Sequence, residues 1–487
     1  MNNLRDRTIR AVFASISGRT ATVMIRVVSM VVLGRLLSPR DYGLVGMVTA
    51  VTGLLGLFGS FGLAQAAIHR DAITEAQASS LFWINTLLGA ILTLAIIALG
   101  PVLSLFYREP RLFLISSAIA PGFLLAAAGV QHAAMLQRQL RFGAGALIDI
   151  SSMLIGTAIA IGMALAGCEY WSLVSMLISV PLSTTLGSWV ATGWIPGRPR
   201  RVKGLRSMIQ FGGTMMLNGI ICYLSISVGK IAMGRYWGAA ALGLYDRAYG
   251  LIMFPNDNIN TTVGDVAFAS LSRARNDPER LKRSFLKGYS LILALTIPSA
   301  AAAGLFADEL IQVLLGDQWA DAAELVRILT PVLLVYVVAN PLGWLMNALG
   351  LVRRGLWIAF ATAPFMIGGA LIGLPYGARG VAMAYSVVAL LKAIPVTAWA
   401  VHGTPIGVLD IVAALRAPVA SCLAAAIVVY GAHAVYGPAL SVLPRLLVDV
   451  TAFSAVYLAV LMLVTEQRRF YLDLFRGGNL AGSVGAG

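Results

Sequence analysis

Six basic side chains, Arg19, Arg26, Lys230, Arg247, Arg327 and Lys392, each interrupt a long apolar run. A charge in hydrocarbon is expensive, so such residues face a bundle interior, a wet passage or a partner of opposite sign. Arg19 and Arg26 are seven residues apart, nearly two helical turns, and so project from one face. Several cations in one place attract an anion, and the planar guanidinium fork suits phosphate oxygens. Arg19, Arg26, Lys230 and Arg247 form the expected substrate-binding set. The acids in or beside apolar runs are Asp149, Asp246, Asp257, Asp265 and Asp449. Asp246 is the candidate for ion or proton coupling; Asp149, Asp257 and Asp265 fall near the ends of runs, where hydration accounts for them. The competing account is that the bases snorkel to the interface or pair with carboxylates. It is the stronger account for Arg327, with Glu324 one turn away, and for Arg235 at the end of a run. Both readings stand open for Lys392, and for Arg247, which could simply neutralise Asp246 or another acid.

The elements that must hold these residues are membrane helices. Of 487 residues 59% are hydrophobic and only 12% charged, with a mean hydropathy of +0.83. Soluble domains carry about a quarter charged residues, so the excess apolar surface faces lipid. The runs are apolar on all sides, which excludes the alternating strands of a barrel. Runs of about 20 residues suffice to span. They give fourteen expected spans: 11–34, 43–68, 80–106, 112–136, 143–166, 170–193, 208–233, 239–264, 286–307, 323–349, 355–374, 380–401, 409–433 and 443–465. The fold class is therefore all-α and polytopic.

A net charge of +15 would point to nucleic acid in a soluble protein. Here the bases sit in short loops. With a cytoplasmic N-terminus, 23 of the 36 Lys and Arg fall in inner segments or toward the inner ends of spans and 7 in outer loops. This bias supports an even number of spans, with both termini in the cytoplasm. The first run contains two arginines and lacks a small-residue cleavage site, so it reads as a retained helix. Two inner segments are strongly basic: Pro196–Arg206, and residues 269–289. In the second, Asp277–Pro278 reads as a helix start. The amphipathic turns that follow, with Leu281, Phe285 and Leu286 opposite Lys282, Arg283 and Lys287, are expected to lie on the cytoplasmic surface.

Weak internal repetition is present. At an offset of 200, Gly34, Arg35, Gly43 and Leu44 fall on Gly234, Arg235, Gly243 and Leu244; at an offset of 213, Arg141 and Gly167 fall on Arg354 and Gly380. Each match keeps its side of the membrane, which implies parallel halves. The expected organisation is an N-terminal bundle (1–195), a basic linker (196–206), a C-terminal bundle (207–402), two additional helices (403–470) and a cytoplasmic tail (471–487). Gly53, Gly56, Gly59 and Gly62 recur every third residue and read as a packing stripe.

Cys168, Cys222 and Cys422 lie far apart, and His69, His132, His402 and His433 are scattered, so neither a metal site nor a cofactor is expected. Phosphate-loop, zincin and nucleophile-elbow patterns are missing, and the outer loops are short, which argues against an enzyme such as a membrane glycosyltransferase.

Four stretches carry a family resemblance: LGRLLSPRDYGLVGMVTAVTGLLGLFGSFGLAQAAIHR (33–70), LQRQLRFGAGALIDISS (136–152), ASLSRARNDPERLKRSF (269–285) and GARGVAMAYSV (377–387). In them the chain resembles the polysaccharide transporters, the O-antigen flippase-like proteins of the multidrug/oligosaccharidyl-lipid/polysaccharide exporter superfamily. The resemblance implies two six-helix bundles around a central cavity plus two C-terminal helices. It implies movement of an undecaprenyl-pyrophosphate-linked oligosaccharide across the inner membrane, with a polysaccharide polymerase and chain-length proteins as possible partners. A cation-coupled multidrug exporter of the same superfamily is the alternative; it would want carboxylates where this chain places bases.

Overall fold

The computed structural model describes residues 2–59, 74–139, 141–199, 205–436 and 440–464. Gly62, Arg70, residues 200–204 of the basic loop, Arg468, Arg469, Arg476 and the tail 471–487 lie outside them, as do the side chains of Arg5, Arg7 and Arg10. Among the described residues all regular structure is helical. The helices are α1 (Asn2–Leu36), α2 (Pro39–Gly59), α3 (Glu75–Tyr107), α4 (Arg111–Ile119), α5 (Pro121–Arg138), α6 (Phe142–Leu165), α7 (Trp171–Thr192) and α8 (Leu205–Arg273). They continue as α9 (Pro278–Leu305), α10 (Ala307–Leu314), α11 (Ala320–Ala348), α12 (Val352–Gly373), α13 (Gly377–Val401), α14 (Val408–Tyr436) and α15 (Val442–Ala459).

Ten stretches of the described residues are long and apolar enough to cross a membrane. Two of them double back. Leu217–Asn258 reverses at Gly238, whose φ of 80° divides α8 into arms 205–237 and 239–273. Val352–Val401 reverses at residues 374–377, where Gly377 has φ 71°. Positive φ is open to glycine at little cost. With α1 and α2 counted, the helices match the expected fourteen or so. Large apolar side chains such as Leu105, Val190 and Ile394 point outward, as a lipid-facing surface requires.

The chain forms two compact units. The first comprises Met1–Arg247, Leu314–Trp319 and Ala359–Ala384; the second comprises Ala248–Val313, Ala320–Ile358 and Tyr385–Gly487. Within the first, α1 packs on α6, α6 on α7, and α5 on both α3 and α7. Within the second, α9 packs on α11 and α14, and α14 on α15.

The offset-200 repeat is written into the first unit as a reciprocal contact. A Cβ at Gly43 would meet the Ala239 carbonyl oxygen at 1.7 Å, and one at Gly243 would meet the Pro39 carbonyl oxygen at 1.9 Å. Adding 200 to Gly43 and subtracting 200 from Ala239 gives the second pair, so each half supplies the glycine once and the carbonyl once, which is how a two-fold relation appears in a contact. The offset-213 match is also visible. Arg141 donates to the Ala191 carbonyl at the end of α7 (2.7 Å), and Arg354 donates to the His402 carbonyl just past α13 (2.5 Å). Each guanidinium thus satisfies carbonyls that a helix end leaves open.

One local expectation changes. Asp277 does cap a helix, accepting from the Arg280 amide at 3.0 Å. That helix, however, is α9 itself. Leu281 and Phe285 are buried, so the amphipathic turns are the first turns of a spanning helix rather than a separate surface helix. In the glycine stripe, Gly53 lies against the Tyr223 hydroxyl, which a Cβ would meet at 2.2 Å; packing is its role.

Candidate functional site

The site begins with the reversal at Gly238. Lys230 lies eight residues before it and Asp246 eight residues after. At about 1.5 Å per residue, both stand about 12 Å down their arms from the turn and therefore at one level. Their side chains form an ion pair, Lys230 Nζ to Asp246 Oδ1. Both are only partly screened from solvent, with 18% and 37% of the side chains exposed. The expected anion-binding lysine and the expected coupling carboxylate are thus partners, and Asp246 meets Lys230 rather than its chain neighbour Arg247 alone.

Arg247 points elsewhere. Its guanidinium carbon lies 3.8 Å from the centroid of the Tyr42 ring, a close cation–π contact. Tyr42 is buried near the start of α2, and its ring meets Trp319 edge-on at 5.3 Å. Trp319 Nε1 donates to the Gly34 carbonyl (2.7 Å), and Gln318 Nε2 donates to the same oxygen (2.9 Å). The start of α2 is held by a capping box in Ser38–Pro39–Arg40–Asp41. The Asp41 carboxylate accepts from the Ser38 amide (2.9 Å) and hydroxyl (2.6 Å), while the Asp41 amide donates back to Ser38 Oγ (3.3 Å). Proline at the first helical position completes the signature. Tyr42 had no place in the sequence reading. The Ser-x-x-Asp spacing was the available signal that this turn is rigid enough to position a ring.

Arg19 and Arg26 are exposed on α1. Arg19 acts electrostatically on Asp149 of α6, the helix on which α1 packs. The first unit therefore holds all four expected binding residues. Lys230 is paired with Asp246 and Arg247 with an aromatic ring, while Arg19, which faces the charge of Asp149, and Arg26 are exposed on α1.

The remaining bases sort differently. Arg327 does not simply pair with Glu324; it forms an ion pair with Asp308 of α10, and both side chains are well exposed. Lys392 lies 5.9 Å from the Tyr336 ring centroid, and Tyr336 and Tyr385 share a hydroxyl contact of 3.3 Å. Arg235 lies beside Phe106 and Tyr236, 5.9 and 5.8 Å from their ring centroids. Lys282 of α9 pairs with Asp410 of α14 at 2.8 Å.

Comparison with known proteins adds a family. A family model described as "Polysaccharide biosynthesis protein" matches residues 32–324. The chain is 28% identical over 347 residues to the teichuronic acid biosynthesis protein TuaB of Bacillus subtilis (strain 168), covering 70% of this chain and 71% of that one. It is 23% identical over 402 residues to the lipopolysaccharide biosynthesis protein WzxC of Escherichia coli (strain K12), covering 80% of each. Among solved structures, the inward closed conformation of the lipid II flippase MurJ superposes with a TM-score of 0.71 at 16% identity, over 96% of this chain and all of that one. An inward-facing multidrug resistance MATE family transporter superposes with a TM-score of 0.60 at 15% identity, over 83% and 99%. These two likenesses establish the fold.

Proposed function

The chain belongs to the family of polysaccharide biosynthesis proteins; on that premise we propose that it is a lipid-linked oligosaccharide flippase and a transporter rather than an enzyme. It moves an undecaprenyl-pyrophosphate-linked repeat unit from the cytoplasmic to the periplasmic leaflet of a bacterial inner membrane, with both termini in the cytoplasm. The product feeds exopolysaccharide, capsule or O-antigen assembly, where a polymerase and chain-length proteins receive it.

The observation that carries this reading is the sign of the membrane-embedded charge in the first unit: four bases, Arg19, Arg26, Lys230 and Arg247, with Asp246 engaged by one of them. A hydrated anionic head cannot cross hydrocarbon unaided. A polar path lined by guanidinium groups replaces water at the phosphates while the lipid tail stays in the bilayer. Arg19 and Arg26 are the exposed contacts on α1. At the Lys230–Asp246 pair, a phosphate competes with the carboxylate for the ammonium group. Displacement leaves Asp246 able to take up a proton or a cation, which is how the pair would couple transport to an ion gradient.

A deletion strain tests the function. It should lose surface polysaccharide and retain complete repeat units on the inner leaflet. Drug sensitivity with normal polysaccharide would favour the multidrug exporter that the MATE-like fold also accommodates, and truncated repeat units would indicate a transferase. The Arg19→Ala/Arg26→Ala double variant, at normal abundance, should restore little export. Full restoration would remove these residues from the site.

A further inference from the structure

One of the dispersed histidines and two acids, far apart in the sequence, converge at one place in the second unit. Glu309 of α10, His433 near the end of α14 and Asp449 of α15 each offer a donor atom, and these atoms all lie within 4.8 Å of one another. His433 Nδ1 is 3.0 Å from Asp449 Oδ2 and 3.3 Å from Oδ1. Asp449 is completely buried, with Leu446, Phe453 and Tyr457 buried on the same helix. We propose that Glu309, His433 and Asp449 bind a divalent transition-metal ion, zinc being the first probe, which ties α10 to the α14–α15 pair.

Ligand chemistry and spacing both support this site. One imidazole and two carboxylates are a zinc-competent set, each ligand atom lying about 2.0–2.2 Å from the metal. Two ligands at that radius and a tetrahedral angle are about 3.3–3.5 Å apart. The His433–Asp449 separations therefore fit a shared metal with little movement. Glu309 must draw in by somewhat more than 1 Å, roughly one side-chain adjustment on the short helix that carries it.

Charge supports it too. Two carboxylates, one guanidinium and one imidazole meet here. Arg445 stands one turn before Asp449, but its Nη1 lies 3.8 Å from Glu309 and its Nη2 donates to the Leu440 carbonyl at 2.9 Å. Its Nε is buried and makes no hydrogen bond. The Arg445–Glu309 contact is long, and a metal ion would hold the Glu309 carboxylate more closely. The His433 imidazole lies against the buried Asp449 carboxylate, and a metal held by both would present positive charge to it.

The test uses the full chain in detergent, stripped of metal by chelation and then dialysed against zinc. Elemental analysis should find one zinc per chain, with a rise in Tm on adding zinc. His433→Ala, at a partly exposed position, should fold, elute as a single species and bind zinc at least about tenfold more weakly, since even an outer-shell partner costs about 10–100-fold. His402→Ala, far from the cluster in sequence, should bind as the parent does. Zinc binding unaltered in His433→Ala would overturn the assignment. So would a Tm that rises on acidification but not with zinc, which would make the cluster a proton-held ion pair. Asp449→Asn, if it folds, should match His433→Ala.

Discussion

Lys230–Asp246 in the first unit and Arg327–Asp308 in the second join the same charges in different media. The first pair is set about two turns below a reversal, with 18% and 37% of its side chains exposed; the second has 45% and 62% exposed. The attraction between unit charges scales inversely with the local dielectric, and the penalty for leaving one of them alone scales the same way. A base–carboxylate pair therefore carries different consequences in the two settings. The less exposed pair is the costlier to break, whereas the more exposed pair is close to a solvated contact.

The backbone crossing that seats the arm carrying Asp246 is the first thing to break. Gly43→Val places carbon where the Ala239 carbonyl oxygen stands, at a cost of about 3 kcal/mol or more. Most of the protein should leave the monodisperse peak in size-exclusion chromatography; an unchanged Tm would mean the crossing is looser than described. Next comes Asp246→Asn, which strands the Lys230 ammonium. A fully buried pair loses about 3–5 kcal/mol in this way, and partial exposure reduces the expectation to about 2 kcal/mol. The double variant Lys230→Met/Asp246→Asn should regain most of that, and a double-mutant cycle in thermal unfolding measures it. If the double variant is as unstable as the sum of the singles, the pair is not a unit.

Tyr42→Leu removes the ring beneath Arg247 and should cost about 1 kcal/mol, while freeing the guanidinium. Binding of a pyrophosphate-bearing lipid, followed by intrinsic fluorescence, should change by less than it does for Arg19→Ala. The smallest effect belongs to the outer pair. Asp308→Asn should shift stability by less than about 1 kcal/mol, and the shift should vanish in high salt. A larger, salt-insensitive loss would erase the contrast between the two pairs.

Much of this was legible before any coordinates. Helix starts were readable where local chemistry enforces them, as at Asp277–Pro278. The repeat was readable because Gly43 and Gly243 cannot be replaced where two backbones touch. Partner choice was not. Glu324 lies one turn from Arg327 and was the natural candidate, yet Asp308 of another helix takes the contact. The amphipathic turns after Pro278 looked like a surface helix because nothing local reveals that Leu281 and Phe285 bury against neighbouring helices. Tyr42 is an unremarked aromatic in the sequence and becomes a ligand for Arg247 only through the fold of α8.

By itself the sequence determined the medium, the approximate number of crossings, the two-fold repeat and the cationic character of the embedded charge. Each of these follows from composition or from periodicity along one chain. Tertiary structure alone decided which base meets which acid, which ring receives Arg247, and that Glu309, His433 and Asp449 share a neighbourhood. Those outcomes depend on how each helix is rotated about its axis and where it crosses the next, and a run that is apolar on every side leaves both undetermined.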